Sequence, residues 1–189
     1  MAAEPGRRMP RAERREQILA AATRAFARGG YAGTGLDGVA AEAGISRVIL
    51  YRHFDSKNDL YRAVLDRACA RLDAAVGTDG FDDTSIPALV RAAADDPDGF
   101  RLLFAHAVRE PEFRDVVDSL RSASADIARR HLAEAIPDGG WQRWAARLVP
   151  AVALEAVLAW LDAGQPDPDT AAERIGQAVH GVIAAASGQ

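Results

Sequence analysis

The densest run of side chains able to recognise another molecule lies between Thr34 and Lys57. Ser46 and Tyr51 bring hydroxyls, Arg47, Arg52 and Lys57 bring cations, and His53 brings an imidazole. Val48 and Ile49 are apolar residues set among them. That mixture suits a polyanion with an edge to be read. Guanidinium and ammonium groups bind phosphate, an arginine can also bond base edges, and an aliphatic side chain can touch a thymine methyl. Lys57 follows Ser56 at an expected helix start, where charge and free N–H groups favour a phosphate together.

Two short helices joined by a tight turn position these groups. Thr34 is expected to cap the first, roughly Gly35 to Glu42, with Asp37 near its positive end and Leu36, Val39 and Ala40 inward. Ala43-Gly44-Ile45 reads as the turn, because glycine tolerates the backbone conformation it demands. Ser46 caps the second helix, about Arg47 to His53, with Ala40, Ile45 and Leu50 as the small core. This is a helix-turn-helix, which puts its second helix into the DNA major groove. Val48 and Ile49 cannot both pack inward beside Leu50, so at least one is expected to face the groove.

The flanking sequence is helical almost throughout, with little strand-like alternation. Residues 1–9 read as an arm. A helix runs from Pro10 to Arg28 on the stripe Ile18, Leu19, Ala22, Ala25 and Phe26, and Gly29-Gly30 ends it. Ser56 caps a long helix to Val76, with Leu60, Val64, Leu65, Ala68 and Leu72 inward. After a loop at 77–83, helices are expected at 85–95, 98–109, 111–136, 141–163 and 168–186.

Residues 14–65 resemble the DNA-binding domain of the tetracycline-repressor (TetR) family. The segments RREQILAAATRAFARGGYAGTG, LDGVAAEAGIS and RVILYRHFDSKNDLYRAVL carry the resemblance, in order and spacing. It implies an all-α protein: a three-helix DNA-binding domain at 10–56, with its motif at 34–53, and a helical ligand-binding and dimerisation domain at 57–189. It also implies that Thr34, Ser46, Arg47, Tyr51, His53 and Lys57 face DNA, with Val48 and Ile49 against the bases. Val48 stands where the family often has glycine. Gly35 and Gly38 stand where it often has larger or polar residues.

Charge distribution points the same way. Net charge is −4, but residues 1–72 carry 13 basic and 8 acidic residues, against 10 and 19 in residues 73–189. A basic front half on an acidic body fits a nucleic-acid module with a solubilising partner. At 189 residues the chain can hold one domain or two small ones. Its one cysteine, Cys69, can form neither an internal disulfide nor a CxxC site, and a reducing cytoplasm is expected. The basic N-terminus lacks an apolar core, so it does not read as a signal peptide. The most apolar stretch, Leu148 to Leu161, is 14 residues and contains Glu155 and Pro150, so no membrane span is expected.

Enzymatic motifs are missing: no nucleophile elbow, P-loop or GxGxxG occurs. His131 and Glu134, three apart on an expected helix, are too few for a metal site. The expectation is therefore a regulator without catalytic residues, metal or cofactor, most simply a repressor released from its operator by a ligand. A ligand-independent regulator, an activator, or a small all-α enzyme or interaction module without DNA are the alternatives.

The back half suggests two further sites. By analogy with the family, a cavity for an apolar or aromatic effector is expected among Phe100, Leu103, Phe104, Ala107, Val116, Val117 and Leu120, closed by Trp141, Trp144 and Leu148. Helix 141–163 is apolar nearly all round and must be buried on every face. Paired with the last helix it predicts a four-helix homodimer interface through Val152, Leu161, Ile175, Ala178, Val179, Val182 and Ile183. A twofold dimer would require an approximately palindromic double-stranded operator. His106 reads as a solvated or structural histidine. Glu155 crosses the interface, pairs with an arginine or touches ligand, and the sequence leaves these open.

Overall fold

The computed structural model describes residues 9–77, 82 and 84–188. All regular structure in the described residues is helical. The expected loop at 77–83 lies largely outside them. Two compact units divide the chain, Met1–Val64 and Leu65–Gln189.

The first unit holds α1 (Arg11–Gly33), α2 (Leu36–Glu42), α3 (Arg47–Tyr51) and the start of α4 (Lys57–Val76). Ile18, Leu19, Ala22, Ala25 and Phe26 are buried, as the stripe requires. The helix breaks at Gly30 (φ 66°) but regains helical hydrogen bonding to Gly33, a turn beyond its expected end. Leu60, Tyr61 and Val64 of α4 are buried as well. Tyr61 stands edge-on to Phe26 at 4.8 Å and to Tyr31 at 5.0 Å between ring centroids. This aromatic packing ties the start of α4 to α1 within the first unit.

The second unit contains the rest of α4, α5 (Ser85–Asp95), α6 (Pro97–Arg101), α7 (Arg114–His131), α8 (Gly139–Asp162) and α9 (Pro168–Ser187). The helix expected at 98–109 is not uniform. After α6 it widens to a π turn over Leu102–His106 and tightens to a 3-10 turn over Ala107–Arg109. A second 3-10 turn, Pro111–Phe113, precedes α7. Helix α7 stops at His131, so Glu134 sits in the following turn and the expected helical pairing of those two residues does not form.

Helix α8 packs on α7 and α9. Asp138 caps it by accepting from the Gly140 and Trp141 N–H groups at 2.7 and 3.1 Å. Pro150 lies within it and deprives the Ala146 carbonyl of its usual partner, a cost of about 3 kcal/mol that packing must offset. Ala145, Ala146, Val149, Ala153, Val157, Leu158, Trp160 and Leu161 are buried along it. By length and composition this 24-residue helix is long and apolar enough to cross a membrane, unlike the 14-residue stretch counted from sequence. Its buried stripe is matched by neighbours within the unit.

Candidate nucleic-acid interface

The α2–turn–α3 pair is held from three sides. Leu50 is fully buried beneath α3, with Val39 and Ala40 under α2. Gly44 takes φ +65° in the turn, where a side chain would be strained. The Ser46 hydroxyl accepts from the Ile49 N–H at 3.4 Å and so caps α3. From α1, the Gln17 amide donates to the Ala43 carbonyl at 2.8 Å. Arg24 and Arg28 both reach Glu42, at 2.9 and 2.6 Å, and together hold its carboxyl below the usual range.

This frame turns the candidate recognition side chains outward. Val48 is 63% exposed and Tyr51 41%, both high for residues of their size. Ser46, Arg47 and Arg52 are exposed, and Ile49, His53 and Lys57 are half-buried. Arg47 donates to Asp37 at 3.1 Å and to the Tyr51 hydroxyl at 3.2 Å. Lys57 donates to the Ala32 carbonyl at 3.4 Å and lies 4.5 Å from the Tyr31 ring centre. Helix α3 is shorter than expected, since Arg52 caps it and His53 falls just beyond.

Thr34 departs from expectation. It is 8% exposed, and its hydroxyl donates to the Ala25 carbonyl at 3.1 Å. The cap of α2 is Gly35, without a side-chain bond. Gly29 explains the inward turn: a Cβ there would stand 2.7 Å from the Thr34 hydroxyl oxygen, so only glycine leaves the space. Thr34 thus locks the end of α1 and presents no hydroxyl for DNA.

The start of α1 supplies a group of residues absent from the sequence-based site. Arg11, Arg14, Arg52 and His53 line one concave surface of about 630 Å³ with Met9, Pro10 and Ile49. Arg15 donates to the His53 carbonyl at 3.2 Å and lies 4.3 Å from the Phe54 ring centre. Burial, reinforced by Arg11, Arg15 and Arg14, pushes the His53 imidazole below its ordinary range. The signal was present as arginines at positions 11, 14 and 15, whose i, i+3, i+4 spacing shares one helical face.

The second unit redraws the expected cavity. An opening of about 250 Å³ is lined by Ala68, Arg71, Leu72, Ala75, Ala92, Asp95, Asp96, Gly99, Phe100 and Leu103. Only Phe100 and Leu103 of the ten expected residues reach it. Phe104, Ala107 and Val117 are buried core, and Val116, Leu120 and Leu148 are half-buried elsewhere. Trp141 and Trp144 do not line this opening: they are 52% and 40% exposed and stack edge to face at 5.5 Å. Phe100 and Phe104 do share a face, their ring centres 4.7 Å apart, but Phe104 is enclosed in the core and does not border the opening. Asp96 bridges to Arg71 at 3.1 Å on the polar side.

The expected dimer residues divide similarly. Leu161, Ile175 and Val179 are already buried within the chain, as part of the α8–α9 hairpin core, and are unavailable to a partner. Val152, Val182 and Ile183 are half-buried and Ala178 is exposed. Glu155 is exposed, with no ion pair among the described residues. His106 is half-buried, and burial, with Arg109, holds its pKa below the ordinary value. Burial pushes the Cys69 thiol up to about 11, which leaves it unreactive at neutral pH.

Comparison with known proteins agrees with this geometry. The sequence model of the family described as "Bacterial regulatory proteins, tetR family" matches residues 18–64. The chain is 34% identical to the HTH-type transcriptional activator FasR of Mycolicibacterium smegmatis, over 89% of this chain and 82% of that protein. Its fold is similar to that of a TetR-like transcriptional regulator from Rhodococcus sp. RHA1, with a TM-score of 0.79 at 22% identity, covering 96% of this chain and all of that one. A further fold match is the regulator FadR of Bacillus subtilis in complex with stearoyl-CoA, with a TM-score of 0.68 at 17% identity over 89% and 97% of the two chains.

Proposed function

The chain belongs to the TetR family of bacterial regulatory proteins, DNA-binding transcription regulators and not enzymes, and from that premise we propose a homodimeric, ligand-released repressor acting in the cytoplasm. The observation that carries the DNA side is the outward face of α3. It offers Arg47, Val48, Tyr51 and Arg52 on a helix whose inner residue, Leu50, is fully buried. Val48 and Ile49 face base edges, and Ser46, Tyr51, Arg52, His53 and Lys57 hold phosphates. Two copies read an approximate palindrome, with half-sites about 34–36 Å or a multiple apart.

The effector is small and largely apolar or aromatic. It enters the opening beside Leu72, Phe100 and Leu103, which at about 250 Å³ is near the lower end for ligand sites. FadR of Bacillus subtilis, with a related fold, was solved with stearoyl-CoA. Ala68, Arg71 and Leu72 belong to the same helix that begins at Lys57, so an occupant that moves α4 bears on the DNA face. An inducer must bind the DNA-incompetent state more tightly than the competent one. The dimer forms through α8 and α9, at the accessible Val152, Ala178, Val182 and Ile183.

The name of FasR favours a second reading, activation of transcription from the same kind of site. One experiment separates the readings. The purified chain is bound to its selected duplex and titrated with apolar metabolites, acyl-CoA thioesters included, and a reporter carrying that duplex is followed in parallel. Release by one ligand, blocked when Ala92→Leu fills the opening, supports the effector site. Binding that no ligand changes favours a ligand-independent regulator, and reporter output lowered by deleting the gene indicates an activator.

A further inference from the structure

The concave surface beside α3 gathers positive charge from two elements. Arg11 and Arg14 come from the first turn of α1, Arg52 and His53 from the end of α3, and Ile49 forms an apolar wall. Like charges gathered in one hollow repel, and Arg11, Arg15 and Arg14 add to the burial that chiefly holds the His53 imidazole below its ordinary value. Arg15 is bound to the His53 carbonyl and Phe54, and Arg14 donates to Gln17 at 2.8 Å. Among the described residues neither Arg11 nor Arg52 has an acidic partner within 4 Å. The hollow is continuous with the exposed face of α3 through Ile49 and Arg52.

We propose that this hollow is a second DNA-contact site, in which Arg11 and Arg14 bind backbone phosphates flanking the base pairs that α3 reads. The inference rests on the DNA-binding reading above and adds residues outside the helix-turn-helix to it. The bond from Arg14 to Gln17, and from Gln17 to the Ala43 carbonyl, fixes this basic turn relative to the recognition unit. Phosphate held there orients the duplex without reading its sequence.

Binding of the full chain to a fluorescein-labelled mixed-sequence duplex, measured across a sodium chloride series, tests the proposal. Each lost phosphate contact makes the slope of log affinity against log salt shallower by about one. Arg11→Gln is expected to lose about one, and Arg11→Gln with Arg14→Gln about two, with unchanged melting temperatures. Should the double variant unfold, Arg11→Gln decides alone, since among the described residues the Arg11 side chain has no hydrogen bond or ion pair to lose. Arg129→Gln with Arg130→Gln removes two exposed charges from α7 and should leave the slope unchanged. An equal drop in that control overturns the proposal, because net charge alone would explain it. A full slope in both Arg11 variants, with Arg52→Gln still shallower, overturns it and leaves the α3 reading intact. Absence of salt-dependent binding by the unmodified chain overturns both.

Discussion

Arg47 and Tyr51 stand one turn apart on α3, and the Arg47 guanidinium donates to the Tyr51 hydroxyl at 3.2 Å while lying 5.4 Å from its ring centre. Asp37 on α2 holds the other side of the guanidinium at 3.1 Å. The candidate base-reading arginine is therefore already oriented, by a carboxylate and a phenol, before DNA arrives. To bond a guanine it must exchange an exposed ion pair of modest worth for a bidentate contact.

Replacing Asp37 by Asn should free Arg47 for phosphate. Binding to mixed-sequence duplex should tighten while preference for the selected operator narrows. Arg47→Ala should lose about 1–3 kcal/mol of discrimination at the base it reads, with a smaller effect on mixed-sequence duplex. Paired anisotropy titrations on the two duplexes check both variants.

Gly38 lies inside α2 with nothing within 4 Å of where a Cβ would stand. Gly38→Ala should therefore stabilise the fold by up to about 1 kcal/mol in urea denaturation, because alanine suits an exposed helix interior better. Loss of DNA affinity in the same variant would show that α2 approaches the duplex at this glycine.

Acidification should act on His53 in two opposite directions. In the free protein burial and then Arg11, Arg15 and Arg14 disfavour its imidazolium, so its folded pKa lies below the unfolded one. Stability is full above about pH 6.5 and declines as pH falls through the folded pKa, because the unfolded chain takes up the proton first. His106 adds to the same decline, mainly through burial. Phosphates at His53 instead favour the imidazolium, so DNA affinity should rise below about pH 6.5. In His53→Gln the affinity should become nearly flat over that range, as measured by titrations at fixed salt.

Dimer formation should depend on the half of the predicted interface that the chain leaves accessible. Ile183→Asp should shift the protein toward monomer in sedimentation or light scattering and weaken operator binding, while keeping its helical content. Val179→Asp should instead unfold the second unit, because Val179 is buried within the α8–α9 core.

The helix-turn-helix was legible because its signals are local: Gly44 in the turn, Ser46 at the cap, Leu50 inward and Val48 left over. Thr34 was misread for a non-local reason. Its hydroxyl goes to Ala25 through space opened by Gly29, and adjacent sequence does not reveal that fold-back. The pocket lining was legible only in part. Apolar periodicity marks Phe100, Phe104 and Val117 alike as buried, but not which of them borders empty space. Apolar stripes also could not separate core from interface: Ile175 and Val182 look alike in sequence, yet only Ile175 is enclosed by its own chain.

The central claim is that α3 reads DNA sequence, and selection from a random duplex pool by the purified chain, repeated with Arg47→Ala, tests it most directly. The account predicts an approximately palindromic consensus from the unmodified chain, with a preference lost at one symmetric pair of positions in the variant. No enrichment, or an identical consensus from both proteins, would contradict it.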